Sequence, residues 1–577
     1  MENRIATKQR WMPFIKFFLK NKVPWHLYIL SYLCTIAMTS INLKLPLLTR
    51  DMMQGKIFEP GVVWGFVGLT VAASIIRALS TTLFEFGDSK FELNLKTNLW
   101  SKLMRMPMKY FNYEKPSGLV SRVTSDAQKV PNALSVVNSI IGGVQGLVGS
   151  IIIMYGMSRS LSMLMIPLIP WTMFVIWFIG RFEFKIGGLV QNKFSAMTGF
   201  MAERLGSMRL IKSFGAEGKE QKSGYETVEN FFKAELYRAK IFSFIQQPIA
   251  KTIDIAILLL VFVLGAQEVG AGRLEVADLI AFYMYAEMLL PSIFALLQAY
   301  QYIKGVQGSA AKIGEILESD SEVFKREKSF SIPDSDINFK NISFAYTEKN
   351  VLNDLTFTIP KGKVTAIVGP SGSGKTTIFN LLERFYKPGN GIITFGDIPI
   401  EDIHLDEWRK AIGYVPQNSP LLSGTIRENI CYGVGREVSE AEIMRAAKLA
   451  NAYDFIRELP GKFDAEVGEV GGKLSGGERQ RIAIARTIIK DPDYLLLDEA
   501  TCSLDARAEQ EVQKGLKNLM KGRTTIVIAH NMRTILDSDQ IIVLSDGAVN
   551  GIGKHEELYK INAIYRQFVD LQLKECS

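Results

Sequence analysis

Six long apolar stretches occupy the first half of this 577-residue chain. They cover residues 27–49, 61–86, 133–157, 160–180, 243–267 and 275–299. Each is close to the ~20 residues that an α-helix needs to cross a bilayer. The first is too long, and begins too far into the chain, to be a cleaved signal peptide. The pattern predicts six membrane-spanning helices, although two helices of a buried bundle could imitate a weaker stretch.

Basic residues beside the apolar stretches predict their orientation. The net charge is +8, and basic residues precede the first stretch, among them Lys8, Arg10, Lys16, Lys20 and Lys22. The long connections at 87–132 and 181–242 are also rich in lysine and arginine. Because basic loops favour the cytoplasmic side, we expect these connections and both chain ends in the cytosol. This clustering beside apolar stretches argues against a nucleic-acid partner.

The second half of the chain has a different pattern. A polar segment, ESDSEVFKREKSFSIPDSD, follows the last helical stretch, and strand-like and helix-like runs then alternate to the end. Such alternation is typical of an α/β domain with a largely parallel sheet. We therefore predict an all-α six-helix transmembrane domain at 1–318, a linker at 319–336, and an α/β P-loop nucleotide-binding domain at 337–577.

The two long cytosolic connections are predominantly helical in pattern. If each forms two helical arms, it projects ~35 to 45 Å below the membrane at 1.5 Å per residue. Such arms could touch the second domain, and PSGLVSRVTSDAQ and AERLGSMRLIKSFGAE mark their turn regions. The alternative is that the charged runs are solvated helix faces.

The first chemical motif of the second domain is a candidate phosphate loop at residues 369–377. GPSGSGKTT follows the apolar strand VTAIV and precedes the helical run TTIFNLLERF, which is the context that a phosphate loop needs. Its glycines let backbone N–H groups close around phosphate oxygens, Lys375 can reach the β and γ phosphates, and Thr376 offers a hydroxyl to Mg²⁺. A tight glycine turn is the alternative. The predicted nucleotide-binding residues are Gly369, Ser371, Gly372, Ser373, Gly374, Lys375, Thr376 and Thr377.

The segment YLLLDEA is typical of a buried strand that ends in two carboxylates. Asp498 can hold Mg²⁺ through water, and Glu499 is placed to polarise a water for in-line attack on the γ-phosphate. A surface acidic turn would look similar. The position about 120 residues after a phosphate loop favours the catalytic interpretation.

A second glycine motif, LSGGERQR, lies at a predicted helix start. Ser475 and the N–H groups of Gly476 and Gly477 would form a second anion-binding end. Taken alone, the Ser475–Glu478 spacing also fits a simple capping box.

Three further residues complete the candidate site. His530 ends the strand-like run TTIVIAH, where its imidazole could hydrogen-bond the γ-phosphate and the attacking water. Gln417, on a loop after a strand, could sense Mg²⁺ and the arms together. Tyr346 could stack on adenine. The alternatives are a structural histidine and a core tyrosine.

Cysteine and histidine usage gives no sign of a structural metal. The four cysteines, Cys34, Cys431, Cys502 and Cys576, show neither paired metal spacing nor a disulfide framework. The four histidines are equally scattered. We expect reducing surroundings and no structural zinc.

The complete motif set resembles an ATP-binding cassette (ABC) exporter half-transporter of the multidrug, lipid and peptide type, with a type IV fold. The resemblance covers essentially the whole chain. It implies that Tyr346 is the adenine-stacking residue, that 369–377 is the Walker A loop and that Gln417 is the Q-loop residue. It further implies that 474–478 is the signature, and that Asp498 and Glu499 are the Walker B pair. Ser503, Leu504 and Asp505 would then form the D-loop, His530 would be the switch histidine, and 466–472 would be the loop that contacts the arms.

The resemblance also implies a mechanism. Two such chains pair head to tail, so that the Walker A loop of one faces the signature of the other and ATP with Mg²⁺ is held between them. The expected function is ATP-driven export of a hydrophobic or amphipathic drug, lipid or small peptide by alternating access. Since both Glu499 and His530 are present, a homodimer would have two competent sites, and a heterodimer remains open. A bacterial cytoplasmic membrane is the expected location.

Two positions depart from the family pattern. Glu478 replaces the usual glutamine, and its carboxylate beside a helix N-terminus could slow nucleotide closure. Asn531 follows His530 where arginine is common.

A membrane-anchored nucleotide sensor that regulates a partner channel is the alternative function, whereas the apolar stretches contradict a soluble repair ATPase. For the translocation path we predict Lys251, Asp254 and Glu287, which could instead pair between helices or extend to the membrane interface.

Overall fold

The computed structural model describes residues 17–56, 59–114, 116–165, 167–322, 335–498, 506–529 and 532–575. The chain forms two compact units. The first comprises Met1–Met104 with Pro116–Ser319, and the second comprises Arg105–Lys115 with Asp320–Ser577.

The first unit is built from helices. Its α-helices are Trp25–Asn42, Leu45–Met53, Pro60–Leu103, Pro116–Ser121, Ala127–Lys129, Ala133–Met157, Arg159–Met165, Leu168–Gly206, Met208–Ser213, Glu217–Ile241, Gln247–Gly270 and Val276–Glu318, with π-helical turns at Arg122–Asp126 and Phe242–Gln246.

Five helical segments of the described chain are long and apolar enough to cross a membrane. They are Trp25–Met53, Pro60–Leu103, Gly118–Met157, Glu217–Gly270 and Val276–Glu318. Many of their large apolar side chains are exposed, as expected for helices that face lipid rather than water. These segments confirm five of the six predicted stretches.

The predicted fourth stretch, 160–180, divides between two helices. Arg159–Met165 ends before Pro167, and a new helix begins at Leu168 with Pro167 at its N-cap. Proline is tolerated at a helix start because its missing N–H is not needed there. Charged residues follow soon after this start, at Arg181, Glu183 and Lys185. The fourth span therefore stays a prediction.

The second long connection forms a helical hairpin. Leu168–Gly206 and Glu217–Ile241 are its two arms, and the short helix Met208–Ser213 lies at its tip. The Arg204 guanidinium donates to Glu220 at 2.6 Å and ties one arm to the other. The 25-residue second arm has a length of ~37 Å at 1.5 Å per residue.

Buried polar side chains pin three helices of the first unit together. The Tyr28 hydroxyl donates to Asp88 at 2.7 Å, which joins Trp25–Asn42 to Pro60–Leu103. The Asn138 amide donates to Ser31 Oγ at 3.1 Å and adds helix Ala133–Met157. Hydrogen bonds of this kind stabilise helix packing where lipid offers no competing partner.

The second unit contains two sheets. Their strands are β1 (Ile337–Ala345), β2 (Asn350–Ile359), β3 (Val364–Val368), β4 (Asn390–Phe395), β5 (Ile398–Pro399), β6 (Ile412–Val415), β7 (Tyr494–Asp498), β8 (Thr524–Ile528), β9 (Gln540–Ser545) and β10 (Ala548–Gly553). The smaller sheet has the order β2-β1-β4-β5, and the larger has the order β10-β9-β3-β8-β7-β6. All neighbours in the larger sheet are parallel except β10 and β9.

The larger sheet is covered on both faces, which explains its apolar strands. In β3, Ala366 and Val368 pack into one hydrophobic core, while Ile367 between them packs into the other. Side chains alternate sides along a strand, so a strand covered on both faces needs an uninterrupted apolar run. The predicted α/β architecture is confirmed.

The helices of the second unit fill the connections. Its α-helices are Met108–Tyr113, Lys375–Leu382, Leu405–Ala411, Ile426–Ile430, Glu440–Leu449, Tyr453–Glu458, Gly476–Lys490, Ala506–Met520, Met532–Leu536, His555–Ile561 and Ala563–Glu575. Short 3₁₀ turns lie at Ile400–Asp402, Lys462–Asp464 and Glu469–Gly471.

Candidate nucleotide-binding and hydrolysis site

The sheet order brings the predicted site residues to one edge. β3 leads into the phosphate loop, β7 ends at Asp498, and Gln417 follows β6 by two residues. Because β3, β8, β7 and β6 are parallel neighbours, their carboxyl ends share this edge. Ligands of open α/β sheets bind at this edge. Glu499, Asp505 and His530 lie outside the described residues, although Glu499 directly follows β7 and His530 follows Ala529 after β8.

The phosphate loop depends on glycines that no other residue can replace. Gly369 has φ +154°, and a Cβ there would lie 2.2 Å from the backbone oxygen of Leu544. Gly374 has φ +98° at the N-cap of helix Lys375–Leu382, and a Cβ there would lie 2.5 Å from Leu352 Cδ2. The loop is therefore packed directly against β9 and β2, and it leads into a helix N-terminus, which favours a bound anion.

Polar side chains of the loop fit a phosphate ligand. Ser373 is 4% exposed, and its Oγ has no hydrogen-bond partner in the described chain. Such an orphaned buried hydroxyl costs free energy unless a ligand satisfies it. The Lys375 ammonium donates to the carbonyls of Gly369 at 2.7 Å and Pro370 at 2.9 Å, which holds it within the loop. The Thr376 side chain is exposed at the first turn of the helix.

Tyr346 lies beside the phosphate loop, at the end of β1. Its hydroxyl accepts from the Asn380 amide at 2.8 Å and contacts Thr377 Oγ1 at 3.3 Å. The ring packs edge-on against Tyr386, with the ring centroids 5.0 Å apart. Both hydrogen-bonding partners belong to the helix that follows the phosphate loop, so these contacts fix the aromatic ring relative to the loop. Thr377, predicted to bind nucleotide, is buried against Tyr346.

Asp498 is half-buried at the end of β7. The Tyr414 hydroxyl donates to its Oδ2 at 3.4 Å. Burial raises the pKa of Asp498, while the Tyr414 hydrogen bond and the nearby Lys375 ammonium oppose that rise. A carboxylate that is partly desolvated beside a lysine is suited to hold a divalent cation through water.

Sequence reasoning missed a second acidic residue near Asp498. The pKa of Glu383 is raised to about 7, mainly by burial; Arg409 and Lys490 oppose the rise, and Asp498 adds to it. Burial lowers the pKa of Lys490, whose ammonium donates to the carbonyls of Arg409 and Ile412. Glu383 caps the C-terminus of the phosphate-loop helix, and only its place at the end of the apolar run IFNLL hinted at burial.

The second predicted anion site begins helix Gly476–Lys490. Ser475 and Gly476 are exposed and Gly477 is buried. The capping-box interpretation is also correct: Glu478 N–H donates to Ser475 Oγ at 3.3 Å, and Ser475 N–H donates to Glu478 Oε2 at 2.8 Å. The exposed N-terminus keeps N–H groups available on the outer side of this turn. Gln417 is likewise exposed on its loop.

Comparison with known protein families covers both halves of the chain. Residues 26–293 match the ABC transporter transmembrane region, and residues 352–502 match the ABC transporter family. A multidrug resistance ABC transporter ATP-binding and permease protein of Lactococcus lactis is 35% identical over 99% of this chain and 98% of its own length. The chain belongs to the ABC transporter family. This ABC transporter is an integral membrane protein that hydrolyses ATP to drive transport.

Two further relatives share most of the chain. An ATP-dependent lipid A-core flippase of Photobacterium profundum is 31% identical over 88% of this ABC transporter and 87% of the flippase. An ATP-dependent permease, MDL1, of Candida albicans is 35% identical over 81% of this chain and 70% of the permease. The resemblance to exporters that the motifs predicted is thus confirmed.

Proposed function

We propose that this ABC transporter exports a hydrophobic or amphipathic drug, lipid or small peptide by alternating access of a homodimer. One observation carries the proposal: similarity over nearly the full length to a protein named as a multidrug permease. The relative named as a lipid A-core flippase extends the class of cargo to lipids. Both classes of cargo are amphipathic.

The residues at the sheet edge are assigned roles on this basis. Tyr346 stacks on adenine, and the loop from Gly369 to Thr377 holds the phosphates with Lys375. Thr376, Asp498 and Gln417 would hold Mg²⁺, and bound Mg²⁺ would neutralise phosphate charge. Glu499 polarises the attacking water, and His530 hydrogen-bonds the γ-phosphate.

A second copy of the chain completes each site. Ser475, Gly476 and Gly477, together with Asp505, contact the nucleotide held by the phosphate loop of the other copy. The exposed apolar side chains near the hairpin tip support an apolar partner surface, because Leu205 is 68% exposed, Leu210 60% and Phe214 78%. These side chains lie on the arm whose basic residues favour the cytosol, where lipid cannot cover them. We propose that the second copy of the chain covers these side chains.

The proposed topology places both termini and the nucleotide-binding domain in the cytosol of a bacterial cytoplasmic membrane. The basic connections carry this orientation. Within the membrane unit, Lys251 donates to Asp254 at 3.1 Å and both side chains are exposed, as is Glu287. We retain these three as candidates for the translocation path.

Transport into inverted membrane vesicles tests the proposal. Labelled amphiphiles, lipids and small peptides are supplied outside, and accumulation is measured with ATP and with a non-hydrolysable analogue. We expect ATP-dependent accumulation of at least one class, abolished by Glu499→Gln. ATP hydrolysis that no cargo stimulates, with no accumulation, would instead favour the membrane-anchored nucleotide sensor.

A further inference from the structure

The chain passes between its two units at three points, and two of these points are tied together. The division falls after Met104 and again after Ser319. Within the second unit, the backbone N–H of Glu322 donates to the Arg105 carbonyl at 2.7 Å. Within the first unit, the Lys102 ammonium donates to the Ser319 carbonyl. The segments that follow helices Pro60–Leu103 and Val276–Glu318 are therefore held side by side.

The Glu322 side chain extends this tie to the nucleotide-binding domain. Its two carboxylate oxygens accept from the two terminal nitrogens of Arg409, at 2.7 and 2.8 Å. The Glu322 side chain is only 11% exposed, and the Arg409 guanidinium lies 5.4 Å from the centre of the Phe385 ring. Bidentate, partly desolvated pairs of this kind are stronger and more directional than surface pairs. We call Arg105, Glu322 and Arg409 the Glu322 clamp.

Arg409 lies in the helix directly before β6, and Gln417 follows this strand. Helix Leu405–Ala411 continues into β6 without a loop. The Lys490 ammonium holds the carbonyls of Arg409 and Ile412 at 2.7 and 2.5 Å, so the junction is rigid. β6 pairs in parallel with β7, and Val415 lies opposite Leu497, next to Asp498. Arg409 is thus fixed to the strand that Gln417 follows, beside the strand that ends at Asp498.

We propose that Glu322 is a positioning residue that couples the membrane helices to nucleotide hydrolysis through Arg409. The inference rests on the proposed alternating access and names a route for it within this chain. Through the clamp, the segments that follow two membrane helices are joined to the Arg409 guanidinium: Glu322 binds Arg409 with its side chain and the Arg105 carbonyl with its backbone N–H. None of the clamp residues is one of the proposed catalytic groups. Loss of the clamp therefore uncouples the membrane helices from the nucleotide-binding domain without removing a group that hydrolyses ATP.

The test measures hydrolysis and membrane response separately in the full-length dimer. Cys34, Cys431, Cys502 and Cys576 are replaced by serine, and a spin label is attached at Ala271→Cys, in the exposed turn before helix Val276–Glu318. The distance between the labels of the two copies is measured without nucleotide and with ATP plus vanadate. ATPase rate and melting temperature are measured on the same samples. The variants are Glu322→Gln, Arg409→Gln and the double variant, with Glu407→Gln as the control, since Glu407 is an exposed carboxylate on the Arg409 helix.

The proposal predicts that each single variant keeps an ATPase rate within about threefold of the parent, a deficit below 1 kcal/mol, and loses most of the nucleotide-dependent distance change. The double variant should lose no more than either single one, because both substitutions break one pair. Arg409→Lys and Glu322→Asp, which keep charge without the paired geometry, should fall between. Glu407→Gln should behave as the parent.

Contrary results separate the inference from the proposed function. If the parent responds and the Glu322 and Arg409 variants respond equally, the clamp has no coupling role. If every variant of Glu322 and Arg409, including Glu322→Asp, loses ATPase rate and melting temperature together, the pair only stabilises the fold and the inference is wrong. If the parent itself shows no distance change with ATP and vanadate, alternating access fails, and the inference fails with it.

Discussion

Ser475 donates its hydroxyl hydrogen to Glu478 Oε2 at 2.8 Å across the first turn of helix Gly476–Lys490. The same carboxylate oxygen accepts from the Ser475 backbone N–H. The residue that departs from the family pattern thus engages the hydroxyl that we assign to a phosphate, and it adds negative charge at a helix N-terminus. The capping box and the proposed anion-binding end thus involve the same residues.

Replacement of Glu478 by glutamine should strengthen ATP binding. The change removes a charge near the phosphate but keeps a side-chain oxygen to accept from Ser475. A charge at a helix end is worth about 0.3–1 kcal/mol, so the KM for ATP should fall by roughly two- to fivefold. The measurement is the ATPase rate as a function of ATP concentration.

Glu442→Gln is the matched control for Glu478→Gln, because Ser439 and Glu442 form the same capping box on helix Glu440–Leu449. It should leave the KM for ATP unchanged. A KM that rises in Glu478→Gln would mean that the carboxylate assists nucleotide closure, contrary to our expectation.

The two loop glycines Gly369 and Gly372 should differ in their tolerance of alanine. Both have positive φ, but a Cβ at Gly372 meets no atom within 4 Å, whereas one at Gly369 meets the Leu544 carbonyl. Gly372→Ala should cost about 1–2 kcal/mol of stability from backbone conformation alone. Gly369→Ala must also displace the loop from β9. We expect it to lower the melting temperature more and to abolish binding of a fluorescent ATP analogue. Equal effects of the two changes would contradict this packing.

Tyr346 should contribute through its ring more than through its hydroxyl. Tyr346→Ala removes the stacking surface, worth about 1–3 kcal/mol per base, so the KM for ATP should rise roughly tenfold or more. Tyr346→Phe removes the contacts with Asn380 and Thr377 but keeps the ring. It should change the KM by less than about threefold, or below 1 kcal/mol. A larger effect of phenylalanine than of alanine would assign the tyrosine to structure alone.

Glu383 should make the nucleotide-free protein less stable as the pH rises. Burial raises its pKa in the folded protein from 4.5 to about 7. The folded state therefore holds the proton more tightly than the unfolded state, and stability is lost progressively between pH 4.5 and about 7. Glu383→Gln should remove this loss, about 3 kcal/mol at 1.36 kcal/mol per pKa unit.

The check for Glu383 is the melting temperature without nucleotide at both ends of this range. Glu383→Gln should melt above the parent near pH 8 and close to it near pH 4.5, where both carry a neutral side chain. Glu407→Gln, at an exposed site, should show no such pH-dependent difference. A Glu383→Gln protein that melts below the parent near pH 8 would show that the ionised carboxylate is stabilising.

Local patterns were enough to predict the strand and helix on either side of the loop at residues 369–374, and the strand that ends at Asp498. In both places the proposed site residues directly follow a strand, so the order of residues along the chain determines the local geometry. Apolar length alone likewise placed five membrane segments. The stretch 160–180 stays a prediction, because Pro167 is the N-cap of a new helix within it and Arg181 directly follows its apolar end.

Contacts between distant residues could not be predicted in this way. Glu322 and Arg409 are 87 positions apart, and Tyr28 and Asp88 are 60 apart. Neither pair has a local signature, since a glutamate in a polar linker is typical of solvent exposure. The raised pKa of Glu383 depends on burial and on charges from three other elements, which only the folded chain assembles.

Mixed dimers show whether two copies share each nucleotide site, as we propose. Differently tagged copies carrying Lys375→Ala and Ser475→Ala are co-expressed, and the mixed dimer is purified through both tags. The sharing of each site between two copies predicts that each single-variant homodimer is inactive, while the mixed dimer recovers a substantial part of the ATPase rate because one of its two sites is intact. A mixed dimer as inactive as the homodimers, or a monomer that hydrolyses ATP at the full rate, would contradict it.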